Sequence, residues 1–129
     1  MIARDSTETI GEITKDASCV VAPGATLHDV ADALTKSKRT LAVVLQEGKI
    51  EGVVSEGDIV RAIHHGADVE EVWAADIMTT ELVLVDHQTA VWDVLELMLD
   101  EQIRHVIVSD PERPVVVEIS DLVAVVLPR

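Results

Sequence analysis

The sequence has no phenylalanine and no tyrosine, and only two tryptophans among its 129 residues. Any core must therefore be aliphatic. Basic residues are scarce too: 10 Lys and Arg stand against 24 Asp and Glu, a formal net charge of −14. Such a chain repels a phosphate backbone, and no basic stripe with interleaved aromatics runs through it, which argues against nucleic-acid binding. The acid excess reads as a solubility feature. A single cysteine, Cys19, excludes an internal disulfide framework. Within "CVV" it reads as a small buried residue. The opening "MIARDSTETIGEITKD" carries no apolar signal region, and no uncharged run reaches the roughly 18 residues of a spanning helix. The expectation is a soluble, cytoplasmic protein without membrane contact.

Catalytic and metal chemistry find little footing. His28, His64, His65, His87 and His105 are scattered over distinct elements, with no metal-ligand spacing. Cys19 with a remote histidine is the one conceivable nucleophile pair, and no motif supports it. The reading is of a protein that is neither an enzyme nor a metal carrier.

What the chain does have is valine, 22 of them, and a repeat. β-Branched residues suit strands, yet Ala/Leu-rich helical spacing also recurs, so the fold class is α/β or α+β. In "TLHDVADAL", residues 26–34, Leu27, Val30, Ala31 and Leu34 recur at helical spacing. Thr26 is a natural N-cap, with Asp29 at the third helical position. In "TAVWDVLELM", residues 89–98, Val91, Val94, Leu95 and Met98 recur in the same way, 64 residues further on. Each helix is followed by a basic residue and an apolar strand, "RTLAVVL" or "RHVIV". A turn comes next, "QEGK" or "SDPERP", then a strand, "IEGVVS" or "VVVE", and a helix opening with an acid, "GDIVRAIHH" or "SDLVAVVL". Gly66 is placed to end the first of these helices. A short strand, "CVV" or "LVLV", precedes each first helix. Each half thus reads β-α-β-β-α. The expected division is a first repeat over 9–66, a connector over 67–75 and a second repeat over 76–127. Within the connector region "VEEVWAADIM" has the pattern of a short helix. Either half alone would be marginal in size, so the two are expected to pack as one unit.

With "DIMTTELVLV" at 76–85, "VLELMLDEQIRHVIV" at 94–108 and "GVVSEGDIV" at 52–60, the chain resembles a tandem pair of CBS (cystathionine β-synthase) domains, a Bateman module. The resemblance spans roughly residues 9–127 and leaves no room within the chain for a catalytic domain. It implies two β-α-β-β-α repeats packed with pseudo-two-fold symmetry. It implies a regulatory module that needs no cofactor. Its ligand would be an adenosyl compound in the clefts between repeats: AMP, ADP, ATP, S-adenosylmethionine or NAD(H). It also implies association into a homodimer and control of another, unidentified protein. The alternative is a ligand-free dimerisation or protein-interaction module.

The residues themselves carry part of this reading. Ser55 and Asp58 stand where a strand meets a helix, and a helix N-terminus favours anions. The Asp58 carboxylate can accept both hydrogen bonds of a ribose diol, the Ser55 hydroxyl can reach a phosphate or ribose oxygen, and Gly52 permits close approach. Taken alone, the same Ser-x-x-Asp spacing is a helix capping box that needs no ligand.

By family analogy, Arg39 with Thr40, and Arg104 with His105, lie near the nucleotide. Arg39 and Arg104 are read as corresponding residues, and Arg suits phosphate recognition. Three of the basic residues fall within "KSKR", 36–39, which also fits a helix C-terminus complementing its dipole. Family sites are hybrids, so the Asp58 cleft is expected to draw on Ile77, Thr79 and Thr80. The weaker Asp121 cleft is expected to draw on Thr14, Lys15 and Asp16.

The second half departs from the family pattern, with Glu118 at the Ser position and Val115 at the Gly position. A second carboxylate about 5 Å from a phosphate costs roughly 3 kcal/mol at an effective dielectric of 20. The first half lacks the family's Met before Thr14. Finally, "DLVAVVLP" at 121–128 is apolar around most of its circumference. With Ile59 and Ile63 of the matching helix it is expected to form the dimer face.

Overall fold

The computed structural model describes residues 7–13, 18–109 and 115–126. Most of the expected "SDPERP" turn, together with Thr14, Lys15 and Asp16, lies outside the described residues.

Residues 18–82 form one compact unit. Strand β1 (Cys19–Val21) leads through helix α2 (Leu27–Ser37) to β2 (Leu41–Gln46), β3 (Lys49–Ser55) and helix α3 (Glu56–His64). β1 and β2 are parallel, and β2 and β3 are antiparallel, in the order β1-β2-β3. Local chemistry sets the boundaries. The Thr26 hydroxyl accepts the Asp29 N–H and the Asp29 carboxylate accepts the Thr26 N–H, a reciprocal cap that fixes the start of α2. The β2–β3 hairpin turns through Glu47 (φ 51°) and Gly48 (φ 78°), the paired positive φ angles of a type I′ turn, whose twist matches that of the strands. Gly66, at φ 91°, follows the end of α3. Leu41–Val44 is buried at every position. Such a continuous apolar run marks an interior strand and shows no alternation. Val30, Leu34, Ala42, Val44, Val54 and Ile59 form the core with the buried Cys19.

The other unit contains residues 7–13, 83–109 and 115–126. Here β4 (Leu84–Asp86), α5 (Val91–Glu101), β5 (His105–Ser109), β6 (Val115–Glu118) and α6 (Ile119–Val126) repeat the order and the pairing directions. Val85, Val94, Met98, Val106, Val117 and Leu122 form its aliphatic core.

Each unit is completed by a four-residue helix from the opening of the other sequence repeat. In the first unit this is α4 (Ala74–Ile77), which begins only after Trp73 and is shorter than "VEEVWAADIM" implies. Ala74 N–H donates to Ala25 O (2.7 Å) and Leu27 N–H donates to Val72 O (3.0 Å), with Ala74 fully buried. In the other unit α1 (Ile10–Ile13) takes the matching place. Ile10 N–H donates to Thr89 O (2.7 Å), Val91 N–H donates to Glu8 O (3.0 Å), and Ile10 is fully buried. Ile10 and Ala74 stand 64 residues apart, the offset that separates Leu27 from Val91.

Candidate functional site

The junction of β3 and α3 is a closed reciprocal cap. The Ser55 hydroxyl accepts the Asp58 N–H (3.1 Å) and the Asp58 Oδ2 atom accepts the Ser55 N–H (2.8 Å). The second oxygen, Oδ1, is held by Arg61 Nη2 at 2.5 Å. The Asp58 side chain is 16% exposed and that of Arg61 is 68% exposed, so the carboxylate is largely covered while the guanidinium faces outward. Arg61 is not among the site residues expected from the sequence; the signal that could have found it is its i, i+3 spacing from Asp58.

Gly52 does permit a close approach, and the approaching group is the chain itself. A Cβ at Gly52 would stand 2.7 Å from Thr79 O and 2.9 Å from the Met78 side chain. Thr79 pairs with Val53 of β3, which brings the segment after α4 alongside the Ser55–Asp58 junction. Ile77 is half-buried against the core of this unit, and Thr79 and Thr80 are exposed. Gly52, Ser55, Asp58, Ile77 and Thr79 thus belong to one compact unit.

Arg39 and Thr40 line a different feature, an open cavity of about 490 Å³ between α2 and α3. Lys38 and Glu56 stand beside them, and Leu34 and Ile59 supply apolar wall. Thr40 links the two places, because its carbonyl accepts the N–H of Glu56, the first residue of α3. Lys36 is already engaged: Asp32 holds its ammonium at 2.8 Å, and that hydrogen bond raises its pKa above the ordinary lysine value.

The expected correspondence of Arg39 with Arg104 is wrong by one residue. Both α2 and α5 end in a left-handed residue, Lys38 (φ 57°) and Gln102 (φ 55°). The next N–H in each case returns into the helix, Arg39 to Leu34 O and Ile103 to Met98 O. The counterpart of Arg39 is therefore Ile103, and that of Arg104 is Thr40. The carbonyls agree: Arg104 O accepts the Ile119 N–H (2.7 Å) as Thr40 O accepts the Glu56 N–H (3.0 Å). Arg104 is exposed, and His105 is half-buried and opposite Glu118 in the strand register.

At the second junction the Asp121 Oδ2 atom accepts the Glu118 N–H at 2.9 Å, as Asp58 Oδ2 accepts the Ser55 N–H. Glu118 places a carboxylate where Ser55 places a hydroxyl. The expected dimer face also needs correction. Ile59 is only 8% exposed and points into the core, whereas Val60 (65%) and Ile63 (51%) are the exposed apolar residues of α3. On α6, Leu122 is buried and Val123 is exposed.

Among the described residues, no three His, Cys, Asp or Glu side chains gather as a metal-binding group. Nor, among them, is any helix long and apolar enough to cross a membrane.

Two β-α-β-β-α repeats, each with a Ser/Glu-x-x-Asp junction between its last strand and last helix, define a class of paired α/β modules. The CBS domain family model matches residues 10–65 and 74–119, and the chain belongs to that family. It is 32% identical over 94 residues to an arabinose 5-phosphate isomerase of Pseudomonas aeruginosa; the match covers 71% of this chain and 29% of that protein. The chain thus spans under a third of that relative's length. Among solved structures it is similar to a CBS domain protein of Pyrobaculum aerophilum complexed with AMP. The two are 28% identical with a TM-score of 0.78, covering 88% of this chain and 89% of that one. An uncharacterised conserved protein of Pyrococcus horikoshii has the same fold, at 22% identity and a TM-score of 0.84, covering 97% and 96%.

Proposed function

We propose that this chain is a regulatory sensor module that binds an adenosyl ligand at the Ser55–Asp58 junction. The observation that carries the reading is the meeting of that junction, at the N-terminus of α3, with Thr79, which pairs with Val53 of β3 beside a glycine. Helix N-terminal amides favour an anion, and a carboxylate accepts ribose hydroxyls. Thr79 and Thr80 add exposed hydroxyls, and Thr40 and Arg39 stand at the neighbouring cavity. The AMP complex of the Pyrobaculum relative supports an adenosine nucleotide as the ligand class. The Asp121 junction is the weaker site, because Glu118 adds a negative charge there. Arg104 and His105 belong with it by the corrected correspondence. In the same reading a second copy of the chain covers Val60 and Ile63. The module acts on a partner protein and catalyses nothing itself.

A ligand-free interaction module is the second reading, and one observation favours it. Both Asp58 oxygens are already satisfied within the chain, as a simple helix cap requires. Calorimetric titration of ligand-stripped protein with AMP, ATP, S-adenosylmethionine and NADH separates the two. Saturable binding of at least one supports the sensor. Heats of dilution alone for all four leave the interaction module.

A further inference from the structure

Arg61 lies folded back over the start of its own helix. Its Nη2 atom holds Asp58 Oδ1, and its Nη1 atom sits 3.3 Å from where a Cβ on residue 57 would stand. Residue 57 is glycine, so the guanidinium has the space to lie there. The Ser55 Oγ atom is 3.7 Å from the same point. The guanidinium thus crosses the helix N-terminus beside Ser55, the place where an anion would be drawn. Around it the chain is acidic: Glu56 and Asp58 both fall in the first turn of α3.

We infer that Arg61 is the specificity-determining residue of this site, selecting adenosyl ligands that carry a phosphate over those that do not. The inference rests on the Ser55–Asp58 junction being the nucleotide site. A ribose diol needs the Asp58 oxygen that Arg61 now holds. Binding therefore exchanges one partner for another: the ribose hydroxyls take Asp58, and the guanidinium is released within a side chain's length of the ligand. A phosphate offers it a new acceptor pair of matching geometry. Adenosine offers nothing in return, so for adenosine the displaced ion pair is a pure loss. Phosphate approach past Glu56 and Asp58 also requires a cation, and Arg61 is the one in contact with Asp58. Because the guanidinium is mostly exposed, it can move without disturbing the core.

The test is calorimetric titration of AMP and of adenosine against the wild-type chain, Arg61→Gln, Arg61→Lys and a charge control, Lys49→Gln, at an exposed position on β3. In Arg61→Gln, AMP affinity falls about tenfold, as loss of a charge-assisted phosphate contact implies. Adenosine affinity stays level or rises, because Asp58 is freed. Arg61→Lys keeps part of the preference for AMP, and Lys49→Gln keeps all of it. If the wild type binds AMP and the ratio of AMP to adenosine affinity is unchanged in Arg61→Gln, this inference is overturned while the site stands. If AMP weakens equally in Lys49→Gln, the effect is one of net charge and the inference is again overturned. If the wild type binds neither compound, the nucleotide site itself fails and the role of Arg61 fails with it.

Discussion

Thr79 and Val53 exchange both of their backbone hydrogen bonds, Thr79 N–H to Val53 O at 2.9 Å and Val53 N–H to Thr79 O at 3.0 Å. This short pairing ties the opening of the second sequence repeat to β3 of the first. It also explains Gly52, whose missing side chain leaves room for the Thr79 carbonyl.

Gly52→Ala is expected to destabilise the protein by about 1–3 kcal/mol, the usual cost of overpacking. A Cβ there meets a backbone carbonyl at 2.7 Å, and a backbone atom in a paired strand cannot swing aside as a side-chain tip can. Chemical denaturation of the two proteins measures the difference.

Gly57→Ala runs the other way. The only close neighbour of its Cβ is the flexible end of Arg61 at 3.3 Å, which can shift by a few tenths of an ångström. Replacing a helical glycine with alanine gains roughly 0.5–1 kcal/mol, and that term wins. Thermal unfolding of Gly57→Ala is expected a few degrees above wild type; a lower midpoint would show that the Arg61 position matters to the fold.

Ser55→Ala removes the acceptor for the Asp58 N–H and is expected to cost about 1 kcal/mol. Denaturant midpoints of the wild type and Ser55→Ala measure that loss without any ligand.

Val60→Glu with Ile63→Glu places two charges on the exposed apolar residues of α3. If a second copy covers them, sedimentation at micromolar concentration shows a dimer of the 14.0 kDa chain for the wild type and a monomer for the double variant. A wild-type monomer contradicts that assembly.

Local features were legible in the sequence because their causes lie within three or four residues. The caps at Thr26 and Ser55 are set by side chains that bond the neighbouring backbone, and the turn at Gly48 by a residue free to adopt positive φ. The repeat was legible because both cores use the same apolar spacing. The neighbour of Gly52 was not, since Met78 and Thr79 reach it through tertiary pairing. Matching Arg39 to Arg104 failed because residue identity was compared in place of backbone position. The left-handed residues Lys38 and Gln102 set the true register, and a lysine or a glutamine in that conformation gives no sequence signal as a glycine would. Ile59 was assigned to the surface because the apolar face of α3 continues from the buried Ile59 to the exposed Val60 and Ile63 with no polar boundary in the pattern.

The central claim is that the Ser55–Asp58 junction is the nucleotide site and the Asp121 junction is not its equal. Titration of AMP against Asp58→Ala, Asp121→Ala and wild type, each shown by thermal unfolding to be folded at the assay temperature, tests it most directly. Two charge-assisted ribose bonds at roughly 1.5–3 kcal/mol each are at stake, so Asp58→Ala is expected to weaken AMP at least about tenfold. Asp121→Ala is expected to leave AMP binding nearly unchanged. Loss of binding in Asp121→Ala with Asp58→Ala unaffected would contradict the assignment, and indifference to both would leave the Ser55–Asp58 pair as a helix cap alone.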